Sequence, residues 1–414
     1  MGQSHFVLGI DLGTSGVRFA VLETQTRKLI CNLETSYPNS IEEVKDWESS
    51  CEELICQLPQ SIRSNLKAIA IDGTSGTLAA INSEGFPFGP ALPYNLSCPE
   101  YAFFLRKLVP QGGIATSTSS SLARALRLSE QYGNEILLRH QADWLTGWFL
   151  GNWCWGEEGN NLRLGWDLKT HQWPKTFQQL PWYKALPAIK PSGKILGQIS
   201  KQKAQKNNLP EELLIVSGTT DSNAAVVASN PTQEDGVTVL GSTLVVKQFV
   251  QLPLKGQGVT NHRVGGRWLI GGASNSGGAV LRKIFSDNDL KELSRQINPD
   301  TKSGLNFLPL ICKGERFPTE DPNLEPIMEP RPISDSLYLH GLLEGIAEIE
   351  LNSWRKLIDL GAPAPKRIIT IGGGAKNPQW RKIRERLLGV PVRSCFMPPA
   401  VGVANIALQA ILAT

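Results

Sequence analysis

Residues 9–21 read Gly-Ile-Asp-Leu-Gly-Thr-Ser-Gly-Val-Arg-Phe-Ala-Val, and this stretch indicates the fold. Apolar residues alternate on both sides of a Gly-Thr-Ser-Gly turn, which is typical of two paired β-strands. Glycine lets a turn approach a ligand closely, and successive backbone N–H groups with the hydroxyls of Thr14 and Ser15 form a concave anion site. The stretch therefore predicts a phosphate-binding hairpin that includes Gly13. The alternative is an ordinary β-hairpin with an aspartate near its turn.

A second stretch repeats this pattern. Residues 238–247 read Thr-Val-Leu-Gly-Ser-Thr-Leu-Val-Val-Lys, so that Gly241, Ser242 and Thr243 stand between two β-rich runs. Two such hairpins suggest two related halves that hold one nucleotide, because each turn offers backbone donors to phosphate oxygens. A phosphoryl-transfer enzyme is therefore the first hypothesis.

The first hairpin contains a carboxylate, Asp11, which the second hairpin lacks. A carboxylate at a strand end beside a phosphate site would repel phosphate unless a cation lay between them. Mg²⁺ dehydrates reluctantly and prefers oxygen ligands. We therefore expect Asp11 to hold Mg²⁺ through water.

The composition excludes several classes of protein. A chain of 414 residues, 41% hydrophobic and 19% charged, is a globular protein long enough for two domains. A net charge of +4 is too small to indicate nucleic-acid binding. Seven cysteines without a Cys-x-x-Cys pair fit a reducing compartment. No leader peptide and no apolar run of about 20 residues is apparent. We expect a cytoplasmic monomer or homodimer that binds neither membrane nor nucleic acid.

Asp221 follows an apolar strand-like run and precedes an alanine-rich helical pattern. A carboxylate at that position can take a proton from a substrate hydroxyl, so Asp221 is the candidate general base. The alternative is a helix N-cap, for which aspartate is a favoured residue type.

Two further loops follow strand-like runs. Residues 72–77, Asp-Gly-Thr-Ser-Gly-Thr, are rich in hydroxyls that could line a sugar site, or they form a tight turn. Residues 372–377, Gly-Gly-Gly-Ala-Lys-Asn, could let a ring or phosphate lie on the backbone, or they form a flexible loop. The second loop has neither Rossmann nor Walker spacing.

The pattern of the chain indicates a mixed sheet covered by helices. A polar break with a proline at Asn230–Asp235 predicts a domain boundary, with one domain over residues 1–229 and a second over 230–399. A small-residue helix in residues 400–414 is expected to pack back on the first domain. Strands are predicted at 28–37, 67–71, 78–81, 213–216 and 367–371, and helices at 47–62, 99–108, 122–131, 335–360 and 378–388.

The chain resembles the FGGY carbohydrate kinases of the actin, heat-shock chaperone and hexokinase superfamily. Asp11–Ser15 resembles the first phosphate motif of the family, Leu240–Thr243 the second, and Gly372–Asn377 the adenosine motif. Asp221 matches the position of the catalytic base. Asn161–Trp173 is similar to the family's substrate-domain hairpin.

The resemblance implies two actin-like (ribonuclease H-like) α/β domains with a nucleotide cleft between them, and ATP and Mg²⁺ as cofactors. It also implies roles for individual residues. Asp221, Asp11 and Thr14 would be catalytic; Asp11, Ser75 and Asp221 would hold the sugar; and Gly13, Thr14, Ser15, Gly241, Ser242, Thr243, Gly373, Gly374 and Asn377 would hold ATP, with Mg²⁺ at Asp11 through water.

The chain departs from the family where the substrate would bind. Xylulose kinases usually carry Gln-Met-His-Gly where this chain has residues 72–77, and the family's Trp-x-Asp-x-Arg is replaced by Pro93–Ser97. No arginine is therefore expected there to hold a polyol. The compact loop is similar to that of the cyanobacterial and plant plastid xylulose-kinase-like group, which implies D-ribulose as the substrate.

Three alternatives remain at the level of sequence. D-xylulose is the alternative substrate. A nucleotide-binding switch like actin or the chaperones, or a sugar sensor, is the alternative of another class. Asp221 and the tryptophan-rich residues 151–191 favour an enzyme, because a switch needs neither.

Overall fold

The computed structural model describes residues 4–110 and 113–413. The strands are β1 (Phe6–Leu12), β2 (Gly16–Glu23), β3 (Leu29–Ser36), β4 (Leu66–Gly73), β5 (Leu78–Ile81), β6 (Leu137–His140), β7 (Trp155–Glu157), β8 (Ala188–Lys190), β9 (Ile195–Gln198), β10 (Leu214–Thr220), β11 (Asp235–Leu240), β12 (Leu244–Val250), β13 (Val259–Val264), β14 (Arg267–Ala273), β15 (Arg367–Ile371) and β16 (Val392–Ser394).

The α-helices are α1 (Val44–Gln57), α2 (Gln60–Arg63), α3 (Ala102–Leu108), α4 (Ser121–Tyr132), α5 (Gln141–Leu150), α6 (Glu158–Asn161), α7 (Lys201–Asn207), α8 (Asp221–Ala228), α9 (Gly278–Arg282), α10 (Asp287–Arg295), α11 (Asp335–Asp359), α12 (Pro378–Leu388) and α13 (Pro399–Leu412). Short 3-10 helices lie at Pro99–Tyr101, Ile114–Thr116, Leu162–Leu164, Lys175–Gln179, Tyr183–Ala185 and Gly373–Lys376. Within the described residues, none of these helices has the length and apolar character needed to cross a membrane.

The chain divides into two compact units. Unit 1 consists of Met1–Ala228, Arg263–Gly266 and Pro398–Thr414, and unit 2 of Ser229–His262 and Arg267–Met397. Each unit is built on one six-stranded sheet.

The sheet of unit 1 has the strand order β3-β2-β1-β4-β10-β9. β1, β2 and β3 form an antiparallel meander, whereas β4 pairs parallel to β1 and β10 parallel to β4. The central strands read as nearly continuous apolar runs because both of their faces are buried. β3 lies at the edge, and its residues alternate between exposed and half-buried.

The last helix, α13, packs on this sheet. A Cβ atom on Gly9 of β1 would lie 1.9 Å from the carbonyl oxygen of Ala400, and a Cβ on Gly402 would lie 1.9 Å from the carbonyl oxygen of Ala224. These two glycines therefore let α13 approach both β1 and α8 at backbone distance.

A second hydrophobic core in unit 1 lies among α3, α4, β5, β6 and the segment before β8. Phe177 stacks against Trp173, with a centroid separation of 6.2 Å, and also contacts the buried Trp182. These tryptophans serve packing, which is the more ordinary role for aromatic residues in such a segment.

The sheet of unit 2 has the order β13-β14-β12-β11-β15-β16, and like the sheet of unit 1 it combines antiparallel and parallel pairs. β11 and β12 form an antiparallel hairpin, and β15 returns parallel to β11. The predicted hairpin at residues 238–247 is thus confirmed. The predicted strand at 367–371 is confirmed by β15, and the predicted helix at 335–360 by α11.

A buried ion pair joins two interior strands of unit 2, β11 and β15, to its helices. Arg384 of α12 donates to Glu350 of α11 from Nε at 2.5 Å and from Nη2 at 2.7 Å. Arg384 Nη1 donates to Thr370 Oγ1 of β15 at 2.6 Å, and Thr238 Oγ1 of β11 donates to Glu350 Oε1 at 2.5 Å. Arg384 is 1% exposed and Glu350 is fully buried, so each charge depends on the other for its hydrogen bonds.

A second buried carboxylate in unit 2 is Glu344 of α11. It accepts hydrogen bonds from Arg386 and from the backbone N–H of Ser303, and His340 Nε2 lies 3.5 Å away. Burial alone would raise the pKa of Glu344, but these hydrogen bonds outweigh burial and hold the pKa at about 2.

The predicted helix over residues 47–62 is interrupted in the structure. α1 ends at Gln57, and Leu58 has an extended conformation with ψ of 134° before Pro59. A residue that precedes proline is driven out of the helical region, so the helix stops and α2 starts again at Gln60.

Candidate active site

Three aspartates gather at one edge of the sheet of unit 1. Asp11 on β1 and Asp72 on β4 are direct partners in the parallel register, and Asp72 is in turn the partner of Thr219 on β10. Asp221 follows two residues after Thr219, as the first residue of α8. The carboxyl ends of adjacent parallel strands therefore place two of the predicted site residues beside a third carboxylate.

Asp72 belongs to the loop that was predicted to line a sugar site but had no role of its own in that prediction, and it is the most deeply buried of the three aspartates. Burial, followed by the nearby charges of Asp11 and Asp221, raises the pKa of Asp72 well above its usual range. Asp11 is 2% exposed, and burial raises its pKa, although Asp72 and Arg18 oppose this shift. Arg18 Nη1 lies 3.4 Å from Asp11 Oδ2 and is the nearest positive charge recorded there.

These carboxylates fit a hard cation. Neither carboxylate oxygen of Asp72 has a hydrogen-bond donor among the described residues, and its contact with Asp11 becomes a hydrogen bond only when Asp72 is protonated. Carboxylate oxygens are the ligands that Mg²⁺ prefers. Among the described residues, no three His, Cys, Asp or Glu side chains are placed so that together they could hold a metal ion. A Mg²⁺ ion beside Asp11 would therefore complete its coordination shell with water and with oxygens of the ligand.

The turn of the first hairpin is open to solvent. The N–H of Gly13 donates to the carbonyl of Gly16 at 2.9 Å, which closes a tight turn. Thr14 and Ser15 are exposed at its tip. The three residues predicted to cradle phosphate therefore lie together, next to Asp11.

The hydroxyl groups of the loop after β4 differ in their hydrogen bonding. Thr74 and Thr77 lie 2.6 Å apart through their Oγ1 atoms, and Thr74 Oγ1 also donates to Gln141 Oε1 at 2.8 Å. The Oγ of Ser75 is in no hydrogen bond recorded among the described residues, and Ser75 is half-buried. Ser75 is thus the hydroxyl of this loop that remains for a ligand.

Two arginines from elsewhere in the chain support the backbone of this loop, whereas the expectation that no arginine in Pro93–Ser97 holds a polyol stays a prediction. Arg124 Nη1 donates to the carbonyl of Gly76 at 2.9 Å, and Arg163 Nη1 donates to the carbonyl of Ser75 at 3.4 Å. Arg124 also bonds the carbonyls of Tyr94 and Leu96, within the stretch that lacks the family's arginine. The guanidinium groups come from segments distant in sequence, so the local pattern gave no signal of them.

Asp221 is half-exposed, and its Oδ1 accepts the N–H of Ser222 at 2.7 Å. This bond is local and leaves the side chain at the strand edge with Asp11 and Asp72. Asp221 is therefore the first residue of α8, and its charge lies close enough to raise the pKa of Asp72; its role as general base stays a prediction.

In unit 2, the turn of the second hairpin is buttressed by the loop before α9. Gly278 N–H donates to the carbonyl of Gly241 at 2.9 Å, and Ala279 N–H donates to that of Ser242 at 3.0 Å. Gly277 has a φ of 140° and packs so closely that a Cβ would lie 2.7 Å from the carbonyl carbon of Thr243. Only glycine accepts this conformation without strain.

The glycine loop after β15 lies beside the same hairpin. β15 pairs parallel to β11, with Ile371 opposite Val239, so the two loops leave the sheet at one edge. Gly372 has a φ of 89°, and a Cβ on it would lie 2.7 Å from the carbonyl oxygen of Leu240. The glycine at this position allows the two loops to touch.

A cavity of about 630 Å³ opens between these loops and helices α9 and α10. It contains Gly241, Gly373, Gly374 and Asn377 of the predicted nucleotide set in its wall. Its other lining residues combine apolar, polar and basic side chains: Gly278, Leu281, Arg282, Asp287, Leu290, Lys291, Ser294, Arg295, Leu343, Lys376, Pro378, Gln379 and Trp380. A cavity of this size and mixed lining suits a ligand with a flat apolar part and an anionic part.

Asn377 has a structural role in the cavity wall. Its Oδ1 accepts the N–H of Trp380 at 3.0 Å, which caps α12, and its Nδ2 donates to Ser294 Oγ at 2.8 Å. Trp380 is buried, and its indole N–H donates to the carbonyl of Leu343. Sequence reasoning missed Trp380 because a tryptophan in a basic helix gives no local sign of facing a cavity.

No protein-family model matches the chain. A xylulose kinase from Lactococcus lactis is 24% identical over 412 residues, which covers 90% of this chain and 81% of that protein. A xylulose kinase structure from Rhodospirillum rubrum matches with a TM-score of 0.82 at 17% identity and covers 99% of this chain and 92% of its own. A Plasmodium falciparum glycerol kinase with ADP matches with a TM-score of 0.82 at 14% identity and covers 100% and 91%.

These likenesses establish the architecture. The predicted α/β fold with two actin-like domains is confirmed by solved kinase structures that cover nearly the whole chain. The chain therefore has the two-domain actin-like fold of these solved kinases, and its sequence is 24% identical to that of a xylulose kinase.

Proposed function

We propose that this protein is an FGGY-type carbohydrate kinase that transfers the γ-phosphoryl group of ATP to the terminal hydroxyl of a ketopentose, with D-ribulose as the substrate and D-ribulose 5-phosphate as the product. The observation that carries the proposal is the 630 Å³ cavity in unit 2, whose wall includes both Gly241 and the Gly373–Asn377 loop. A nucleotide held by its adenosine and by its phosphates needs both of these loops at one cavity.

In this proposal, unit 2 binds the nucleotide. The apolar wall around Trp380 and Leu290 would cover the base. The backbone of Gly373 and Gly374 would face the ribose and first phosphate, and Ser242 and Thr243 would donate to phosphate oxygens farther along. Backbone donors in such turns are already oriented, so they bind phosphate without reorganisation.

Unit 1 would supply the acceptor site. Asp221 would take the proton of the terminal hydroxyl as that oxygen forms its bond to phosphorus and the bond to ADP breaks. Asp11 and Ser75 would hold other hydroxyls of the sugar, while Gly13, Thr14 and Ser15 would surround the transferred group, with Thr14 donating to it. Mg²⁺, held at Asp11 through water, would neutralise charge on the phosphates.

The first experiment is a coupled assay of ADP release with Mg-ATP, run with D-ribulose, D-xylulose, pentitols, glycerol and no sugar. Asp221→Asn should reduce turnover with the best sugar by about 10²- to 10⁴-fold, the usual contribution of a general base. Asp359→Asn is the matched control, since Asp359 is an exposed carboxylate at the far end of α11. Near wild-type turnover by Asp221→Asn would contradict the assigned role.

D-xylulose is the second candidate substrate, favoured by the names of the relatives found in sequence and structure. Higher kcat/KM with D-xylulose than with D-ribulose would select it. ATP hydrolysis that is the same with every sugar and with none would instead indicate a nucleotide switch or a sensor.

A further inference from the structure

Arg282, the last residue of α9, lies between the two glycine loops of unit 2. A Cβ atom built on Gly278 would lie 3.6 Å from its Nη1, and one built on Gly373 would lie 3.8 Å from its Nη2. Gly278 is hydrogen-bonded to Gly241 of the phosphate hairpin, whereas Gly373 belongs to the loop assigned to adenosine. The guanidinium group therefore spans the gap between the two motifs.

Only one nitrogen of this guanidinium group has a hydrogen bond recorded among the described residues. Its Nε donates to Asp287 Oδ1 at 3.2 Å, and the side chains of Arg282 and Asp287 are 52% and 83% exposed. Exposed ion pairs of this kind contribute little to stability. Among the described residues, no hydrogen bond is recorded for Nη1 or Nη2, so both can donate to a ligand.

The other cations of the cavity wall are placed differently. Arg295 is paired with Glu292 at 2.9 Å, Lys291 lies on α10, and Lys376 ends the 3-10 helix that begins at Gly373. Within the described residues, Arg282 Nη2 is the neighbour recorded within 4 Å of a Cβ on Gly373. Its position follows the path that a phosphate chain would take from adenosine to the hairpin.

We propose that Arg282 is a further nucleotide-binding residue, which donates its two Nη groups to the α- or β-phosphate oxygens of the nucleotide in this cavity. The inference rests on the proposed function, since it assumes an adenine nucleotide there. A planar guanidinium offers two parallel donors that match two phosphate oxygens, which is why arginine suits this position better than lysine. Asp287 holds the side chain at the rim until the anion replaces it.

The test is isothermal titration of the full-length protein with adenosine, ADP and ATP in the presence of Mg²⁺. Arg282→Met should weaken binding of ADP and ATP by about 10- to 100-fold, the usual range for charged hydrogen bonds, and change adenosine binding by less than about twofold. Arg282→Lys should recover part of the loss. Lys283→Met, which removes a charge one residue away outside the cavity wall, should leave all three affinities near wild type.

Thermal unfolding of each variant serves as the folding control, and Arg282→Gln replaces the methionine variant if that protein unfolds early. Equal weakening of adenosine and ADP by the substitutions would assign Arg282 a packing role and overturn the inference. Unchanged ADP and ATP affinity would also overturn the inference but would leave the proposed function intact. Wild-type protein that binds no adenine nucleotide would instead contradict the proposed function, and the inference with it.

Discussion

Removal of the guanidinium group of Arg384 should strongly destabilise unit 2. Arg384→Met leaves the fully buried carboxylate of Glu350 without its two charged hydrogen bonds, and Thr238 is then its one remaining donor among the described residues. A buried ion pair that loses one partner typically costs 3–5 kcal/mol, because the remaining charge stays desolvated. We therefore expect a loss of about 4 kcal/mol in the free energy of unfolding of unit 2.

The double variant Arg384→Met/Glu350→Leu separates charge from packing. Well-packed apolar residues often replace a buried ion pair at little cost. The hydroxyls of Thr238 and Thr370 would still lose their partners, at roughly 1 kcal/mol each. The double variant should therefore be about 2 kcal/mol less stable than wild type, and more stable than Arg384→Met alone.

Urea denaturation, with hydrogen exchange of β11 and β15 to identify unit 2, measures these differences. Adenosine affinity provides a second readout, since Thr238 and Thr370 lie on the strands that lead to the two glycine loops. A cost below about 1 kcal/mol for Arg384→Met, or a double variant as unstable as the sum of the two single variants, would refute this reasoning.

Three further outcomes follow from the structure. Glu344→Gln should cost about 2 kcal/mol at pH 7, the usual contribution of hydrogen bonds to a charged group, since the hydrogen bonds that hold the pKa of Glu344 at about 2 against an ordinary 4.5 stabilise the fold above pH 4.5. That cost should shrink as the pH falls from 4.5 toward 2 in urea denaturation, and a cost independent of pH would contradict it. Gly374→Ala should weaken adenosine binding more than Gly373→Ala, because a Cβ on Gly374 would lie 2.7 Å from Leu240 Cβ whereas the nearest atom to a Cβ on Gly373 is Arg282 Nη2 at 3.8 Å; the reverse order by calorimetry would refute this. Gly9→Ala should lower the unfolding temperature of unit 1, since the new Cβ meets backbone at 1.9 Å and overpacking costs about 1–3 kcal/mol or more, whereas Gly113→Ala, with 3.5 Å of room, should not.

Local chemistry made much of the fold predictable. The hairpin that includes Gly13 and its counterpart at Gly241 combine alternating apolar residues with glycine and hydroxyl turns, and such turns depend on a few consecutive residues. Asp11 and Asp221 could be singled out because Asp11 lies near the end of an apolar strand and Asp221 directly follows another strand. The long helix α11 has the periodic apolar spacing from which helices are best predicted.

The remaining features depend on contacts between distant segments. α5 is buried on nearly all sides, so its sequence has no polar face from which a helix could be predicted. Asn161–Trp173, expected to resemble a hairpin, contains a 3-10 turn and one isolated bridge between Asp167 and Gln172. Arg163 reaches Ser75 across 88 residues of sequence, which no local pattern encodes.

The placement of α13 ties the completion of unit 1 to the order of synthesis. Its residues follow those of unit 2 along the chain, yet they cover Gly9 at the start of the first sheet. Domains generally fold as units from the N-terminus during translation. In this protein, however, the face of β1 that α13 covers stays uncovered while the ribosome is still making unit 2. A nascent chain of this protein therefore exposes apolar surface until α13 emerges, and during that interval it is most prone to aggregate.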